Sequence, residues 1–121
     1  MVKQISLTFG AVLVFVYVGL SHQAFMLPEI CWTEWYNRDS PSGTGDFETL
    51  RYLRKENPGE ICVNPLAIEV VTANEGIPAS QTGQKFHVNN PRIGFACLNK
   101  EQKSGTCLDY KVRFGCLECL M

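Results

Sequence analysis

Apolar and polar positions alternate most clearly near the C-terminal end. In CLDYKVRFGC, Leu108, Tyr110, Val112 and Phe114 face one way, while Asp109, Lys111 and Arg113 face the other. Alternation with a period of two specifies an extended strand with one buried and one wet face. Upstream, LAIEVVTA places Ile68, Val70 and Thr72 on one side, KFHV alternates at Phe86 and Val88, and IGFACL alternates at Phe95 and Cys97. Turn-forming groups at 74–76, 81–83, 89–91 and 103–105 separate these runs.

The spacing changes once, at Phe47, Leu50 and Leu53, which share one face of a helix predicted over 47–56. SPSGTG at 40–45 turns the chain into it. Asp46 suits the N-cap, Glu48 complements the positive end of the first turn, and Pro58–Gly59 stops the helix. The expected fold is mainly β: a small disulfide-bonded antiparallel β-sandwich or open barrel with one short helix at an edge.

The first residues follow a different pattern. Lys3 precedes an almost wholly apolar run, Ile5 to Leu20, which is short for a membrane span and has the charged start of a secretory signal. Gly19 and Ser21 place the cut after Ser21; a cut after Ala24 would put bulky His22 where a small residue is preferred. The expected organisation is a leader at 1–21, an N-terminal arm at 22–30 and one domain at 31–119. An exported, secreted chain follows, located in the extracellular space or matrix, with no membrane contact after cleavage.

Composition sharpens this picture. Cys31, Cys62, Cys97, Cys107, Cys116 and Cys119 make an even set in a short exported chain, which reads as a disulfide framework whose connectivity the spacing leaves open. CLEC at 116–119 has no second C-x-x-C for a zinc site and no βαβ surroundings for a redox motif. The formal net charge is −1, and no basic run exceeds the Arg54–Lys55 pair, so a nucleic-acid footprint is missing. Asn57, Asn64 and Asn90 precede proline, and no asparagine stands two before Ser or Thr, which argues against N-linked glycans.

Catalytic chemistry has little to draw on. His87 is the one histidine outside the leader edge, and a lone strand histidine is more often a surface group than a base. No nucleophile motif or phosphate loop accompanies it. The expectation is a protein that is not an enzyme. A contiguous calcium loop over 37–48 also fails, because Pro41 takes a ligand position and Ser42 the position that needs glycine. Oxygen ligands gathered from separate loops remain: Asn37, Asp39, Asn99, Glu101 and Asp109 stand against the plainer reading of solvated loop polars. Trp32 and Trp35 are expected to anchor the core. Their W-x-x-W spacing is also the acceptor pattern for C-linked mannose on the first tryptophan, Trp32.

Five segments then carry a resemblance: CWTEW at 31–35, SGTGDFETL at 42–50, ENPGEICVNPLAIE at 56–69, GFACLNKEQ at 94–102 and CLDYKVRF at 107–114. In order and spacing they resemble the WxxW domain, also called the CysD or mucin cysteine-rich domain, of gel-forming mucins and cartilage intermediate layer protein. The resemblance implies a compact extracellular β module that associates with itself or with matrix and mucus proteins. It also implies a structural calcium ion, whose ligand segments fall on Asn37, Asn99, Glu101, Asp109 and Tyr110, and C-mannosylation of Trp32. Many mucin copies carry ten cysteines, and Gly115 stands where they place one of an adjacent pair, so their pairing does not transfer. The expected function is a free-standing, non-enzymatic matrix or mucus module. The alternative is a small secreted effector on the same scaffold: a host-defence factor, growth-factor antagonist or glycan-binding protein.

Overall fold

The structure, a computed structural model, describes residues 29–117 and Cys119. The predicted leader at 1–21 and residues 22–28 of the arm lie outside the described residues. Among the described residues six strands and one α-helix follow in order: β1 (Cys31–Trp32), β2 (Gly45–Thr49), α1 (Leu50–Glu56), β3 (Ala67–Thr72), β4 (Val88–Asn90), β5 (Gly94–Leu98) and β6 (Tyr110–Cys116). They form two three-stranded antiparallel sheets, ordered β1-β6-β3 and β2-β5-β4, rather than a closed barrel.

The alternation in β6 sets the core. Tyr110, Val112 and Phe114 are fully buried, while Lys111 and Arg113 point outward with Glu69 and Ala67 of β3. Phe95 of β5 and Leu50 and Leu53 of α1 pack against the same cluster. Phe86, Phe95 and Tyr110 form a triangle of rings with centroids 4.9–5.6 Å apart, each such contact contributing about 0.5–1.5 kcal/mol beyond its buried area.

Three bridges close the framework: Cys31–Cys119, Cys62–Cys116 and Cys97–Cys107, with no free cysteine among the described residues. The two cysteines of CLEC therefore take different partners. Beside the Cys97–Cys107 bridge the buried Gln102 amide is fully occupied, donating to the Lys85 and Leu98 carbonyls and accepting from the Lys85 N–H.

Two expectations are overturned. The helix begins at Leu50, with Thr49 at its N-cap, and residues 45–49 are strand. The backbone of 45–49 is committed to β5, and the Leu50 N–H donates to the Ile93 carbonyl at 2.8 Å, so no helical turn can form earlier. Asp46 and Glu48 are thus inward-facing strand residues rather than a cap and a first-turn acid. The tryptophans are the second case. Trp32 and Trp35 remain 41% and 37% exposed, on the outer face of the β1-β6-β3 sheet. Smaller departures follow the same logic: Phe86 packs on the core from a loop ahead of β4, and Leu108 is exposed ahead of β6.

The strand-to-helix switch depends on Gly94. Its φ is +114°, and a Cβ there would lie 2.7 Å from the Glu48 carbonyl oxygen and 2.8 Å from the Leu50 nitrogen. Gly94→Ala is expected to destabilise the fold by about 2–4 kcal/mol in denaturant titration. A loss within half a kcal/mol of zero would show that β2 and α1 do not depend on this close approach.

Candidate functional site

Loop 37–39, β2 and the start of β6 converge on a group of oxygen atoms. Asp46 and Glu48 lie two apart on β2, so both side chains enter the interior, where each is fully buried. Asp46 Oδ2 accepts the Tyr110 N–H at 2.7 Å, while its Oδ1 has no partner. Glu48 accepts the Arg38 and Asp39 N–H groups at 2.8 and 3.0 Å, folding loop 37–39 over β2. The same loop seals the outer edge of β2: Phe47 N–H donates to Asp39 Oδ2, and the Arg38 guanidinium donates to the Phe47 carbonyl. Arg38 is itself held by Glu56 at 3.1 Å and lies over the Tyr52 ring.

Asn37 completes the group. Its amide nitrogen donates to the Asp39 carbonyl at 2.6 Å and to the Tyr110 carbonyl at 3.2 Å, tying loop 37–39 to β6. The other end of the carboxamide lies 3.4 Å from Asp109 Oδ2. Carboxamide, carboxylate and main-chain carbonyl oxygens thus lie near one another, and these are the ligand types a hard cation takes. No group of three or more Asp, Glu, His or Cys side chains among the described residues is arranged to hold a metal ion, so carbonyl oxygens would have to supply much of any coordination.

The residues singled out from the sequence divide here. Asn37, Asp109 and Tyr110 come together, with Asp39 beside them. Asn99 is occupied elsewhere: its side chain accepts the Cys107 N–H and donates to the Gly43 carbonyl, pinning the 43–44 turn. Glu101 lies exposed in a short 3-10 turn after β5. Neither hydrogen-bonds to the Asn37 group. His87 is exposed beside β4. A hollow of about 480 Å³ at Gly43, Thr44, Leu98, Asn99 and Lys100 gathers no acid and no histidine. Sequence reasoning missed the inward placement of Asp46 and Glu48, for which the only signal is D-F-E, an alternation with polarity opposite to that of a core strand.

A second feature occupies the outer face of β6. Arg113 is paired with Glu69 through Nε and a terminal nitrogen, each at 2.6 Å, and its guanidinium carbon lies 4.6 Å from the Trp32 ring centre and 4.7 Å from that of Trp35. Lys111 Nζ lies 5.1 Å from the Trp35 ring centre. Burial of the pair would have consumed these rings; cation stacking holds them at the surface instead.

A model of the Mucin-2 protein WxxW repeating region matches residues 32–116, from the first of these tryptophans to the cysteine that ends β6. The chain belongs to the WxxW family. It is 46% identical over 87 residues to human cartilage intermediate layer protein 2, covering 70% of this chain but 7% of that protein. Human mucin-5AC is 32% identical over 99 residues, 74% of this chain and 2% of its own length. The human cell migration-inducing and hyaluronan-binding protein is 30% identical over 100 residues, 83% of this chain and 7% of its own length. The chain therefore spans a small fraction of these relatives. Among the described residues no helix is long and apolar enough to cross a membrane.

Electrostatics in the WxxW domain follow from the burial of its acidic pair. Desolvation is the main cause that pushes Asp46 up to about 7, with Asp109 and Asp39 adding to it against the Tyr110 N–H. Desolvation likewise pushes Glu48 up to about 9, with the neighbouring Asp46 charge adding to it, against two N–H donors. The folded state therefore holds more protons than the unfolded chain from the ordinary carboxylate range up to these values, so stability falls as pH rises through that window. In a chelating buffer, Tm is expected to drop by several degrees between pH 5 and pH 9, and Asp46→Asn should flatten the slope between pH 5 and pH 7. A Tm that climbs steadily over the same range would refute this account of the pair.

Proposed function

We propose that the domain is a non-enzymatic extracellular module of matrix or mucus that works by associating with further copies of itself and with neighbouring matrix proteins. The observation that carries this reading is the apolar end of the β1-β6-β3 sheet. Val63 and Leu66 are 81% and 55% exposed, and Leu117 and Ile30 are also open to solvent. They cluster because the Cys62–Cys116 bridge and the Leu66 N–H to Gly115 carbonyl bond draw 62–66 onto the end of β6, where Ile30 closes over Gly115. Other exposed apolar side chains, such as Tyr52, Ile77, Ile93 and Leu108, stand elsewhere; Val63, Leu66, Leu117 and Ile30 are drawn to one end of a sheet, and such a group favours association. Relatives named for a cartilage layer and for mucins support this setting, as does the disulfide framework. The hyaluronan binding in one relative's name belongs to a protein of which this chain matches 7%.

The same reading includes a structural calcium ion. The Asn37 carboxamide beside the Asp109 carboxylate supports it, with the Asp39 and Tyr110 carbonyls nearby and the unpartnered Asp46 Oδ1 adding to the group. Bound there, the ion would supply positive charge that lets the buried acids ionise and would tie loop 37–39 to β6. Asn37, Asp109 and the Asp39 and Tyr110 carbonyls are the residues that would hold it. Asn99 and Glu101, bonded elsewhere or exposed, are not included.

Size-exclusion with light scattering on the secreted protein tests the association, and thermal melting in calcium and in chelator tests the ion. The expected result is concentration-dependent association that Leu66→Ser weakens at least threefold, with a Tm several degrees higher in calcium. A monomer at every concentration that binds one receptor saturably would instead establish the small-effector alternative. A Tm indifferent to chelator would remove the ion.

Trp32 is also proposed as a C-mannosylation site. Its indole is accessible on the outer sheet face, three residues ahead of Trp35 as the acceptor pattern requires. Peptide mass spectrometry of protein from cells with the mannosyltransferase should place one hexose on Trp32; unmodified Trp32 in such cells would refute the assignment.

A further inference from the structure

The outer face of β6 has a composition different from the apolar end and asks for a different ligand. Arg113 is spent internally, since Glu69 neutralises it and its guanidinium packs against both indoles. It therefore fixes the two rings in place without exhausting them, and both remain more than a third exposed. Lys111 is the contrasting residue. Its strand partner on β3 is Val71, and among the described residues it has no ion-pair partner. The face thus offers two immobilised aromatic rings and one ammonium group that lies over Trp35 without a carboxylate to pair with.

That combination suits a sugar polymer carrying carboxylates. Pyranose rings present flat C–H faces that pack on indoles, and rings already held by Arg113 lose little conformational freedom on binding. A carboxylate on an adjacent sugar would answer Lys111 with a charge-assisted hydrogen bond. A second copy of the chain fits less well, because a two-fold contact centred on this face would bring the two Lys111 ammonium groups together with no carboxylate to answer them. A neutral glycan would leave Lys111 unused. We propose that the Trp32–Arg113–Trp35–Lys111 face binds an acidic polysaccharide in which uronate and neutral sugars alternate. Sugar rings rest on Trp32 and Trp35, the uronate carboxylate accepts from Lys111 Nζ, and Arg113 and Glu69 act as positioning residues. This proposal goes beyond self-association and uses a separate surface, so either can fail without the other.

Tryptophan fluorescence titration of the secreted, mass-defined domain with an unsulfated chondroitin octasaccharide tests it. The comparator is the same octasaccharide with its carboxylates reduced to alcohols. The expected result is saturable binding that weakens about tenfold for Trp35→Ala and about threefold to fivefold for Lys111→Gln, with Lys100→Gln unchanged. Trp35→Phe, which keeps a ring, should lie between wild type and Trp35→Ala and guards against a folding artefact. Equal affinity for the reduced octasaccharide would overturn the uronate assignment. Equal losses for Lys111→Gln and Lys100→Gln would show only diffuse electrostatics and overturn the site. No binding by wild type, with the Leu66→Ser-sensitive association intact, would overturn the glycan face and leave the self-association reading standing.

Discussion

A buried hydrogen bond links the two sheets of this domain: the Asp46 side chain of β2 accepts the Tyr110 N–H at the start of β6, close to the Cys97–Cys107 bridge. Each partner stands at the junction of several others. Tyr110 anchors the aromatic triangle with its ring, bonds Gln84 and Thr82 through its hydroxyl, and turns its carbonyl toward Asn37. Asp46 shares the interior with Glu48, which gathers loop 37–39. Breaking a buried bond of this kind is costly because it leaves the Tyr110 N–H and an acidic side chain without partners in a low-dielectric interior. The junction of the sheets, the acidic group and the loop above it therefore form one unit.

That unit explains why the acids are tolerated. Two adjacent buried carboxyls repel and lose hydration, which raises both above the ordinary carboxylate range. A proton relieves the strain, so the arrangement connects the stability of the fold to pH.

The two faces of β6 divide the remaining work. The inner face supplies Tyr110, Val112 and Phe114 to the core, and the outer face supplies Lys111 and Arg113 to the tryptophans. Gly115 lets both arrangements coexist at the end of the strand, since a Cβ there would press on Ile30, Ala67 and Trp32. The position resembling one half of a mucin cysteine pair is thus a place where Trp32 and Ile30 close over the strand.

The sequence by itself determined what is local or compositional. Alternation at 108–114 and 68–72 located β6 and β3, because period two maps directly onto the two faces of a strand. The even cysteine set and the five family segments fixed the class. Tertiary structure decided the rest. Asp46 and Glu48 read as helix-start acids from their neighbours, yet β5 claims the backbone of 45–49 from nearly fifty residues away in the chain, and that long-range pairing overrides local preference. Trp32 and Trp35 read as core because indoles are large and apolar. Only the arrival of Arg113 and Lys111 on the same face keeps them at the surface. Cysteine pairing followed the same rule, since which sulfurs meet depends on how the sheets bring distant strands together, a distance that sequence spacing does not contain.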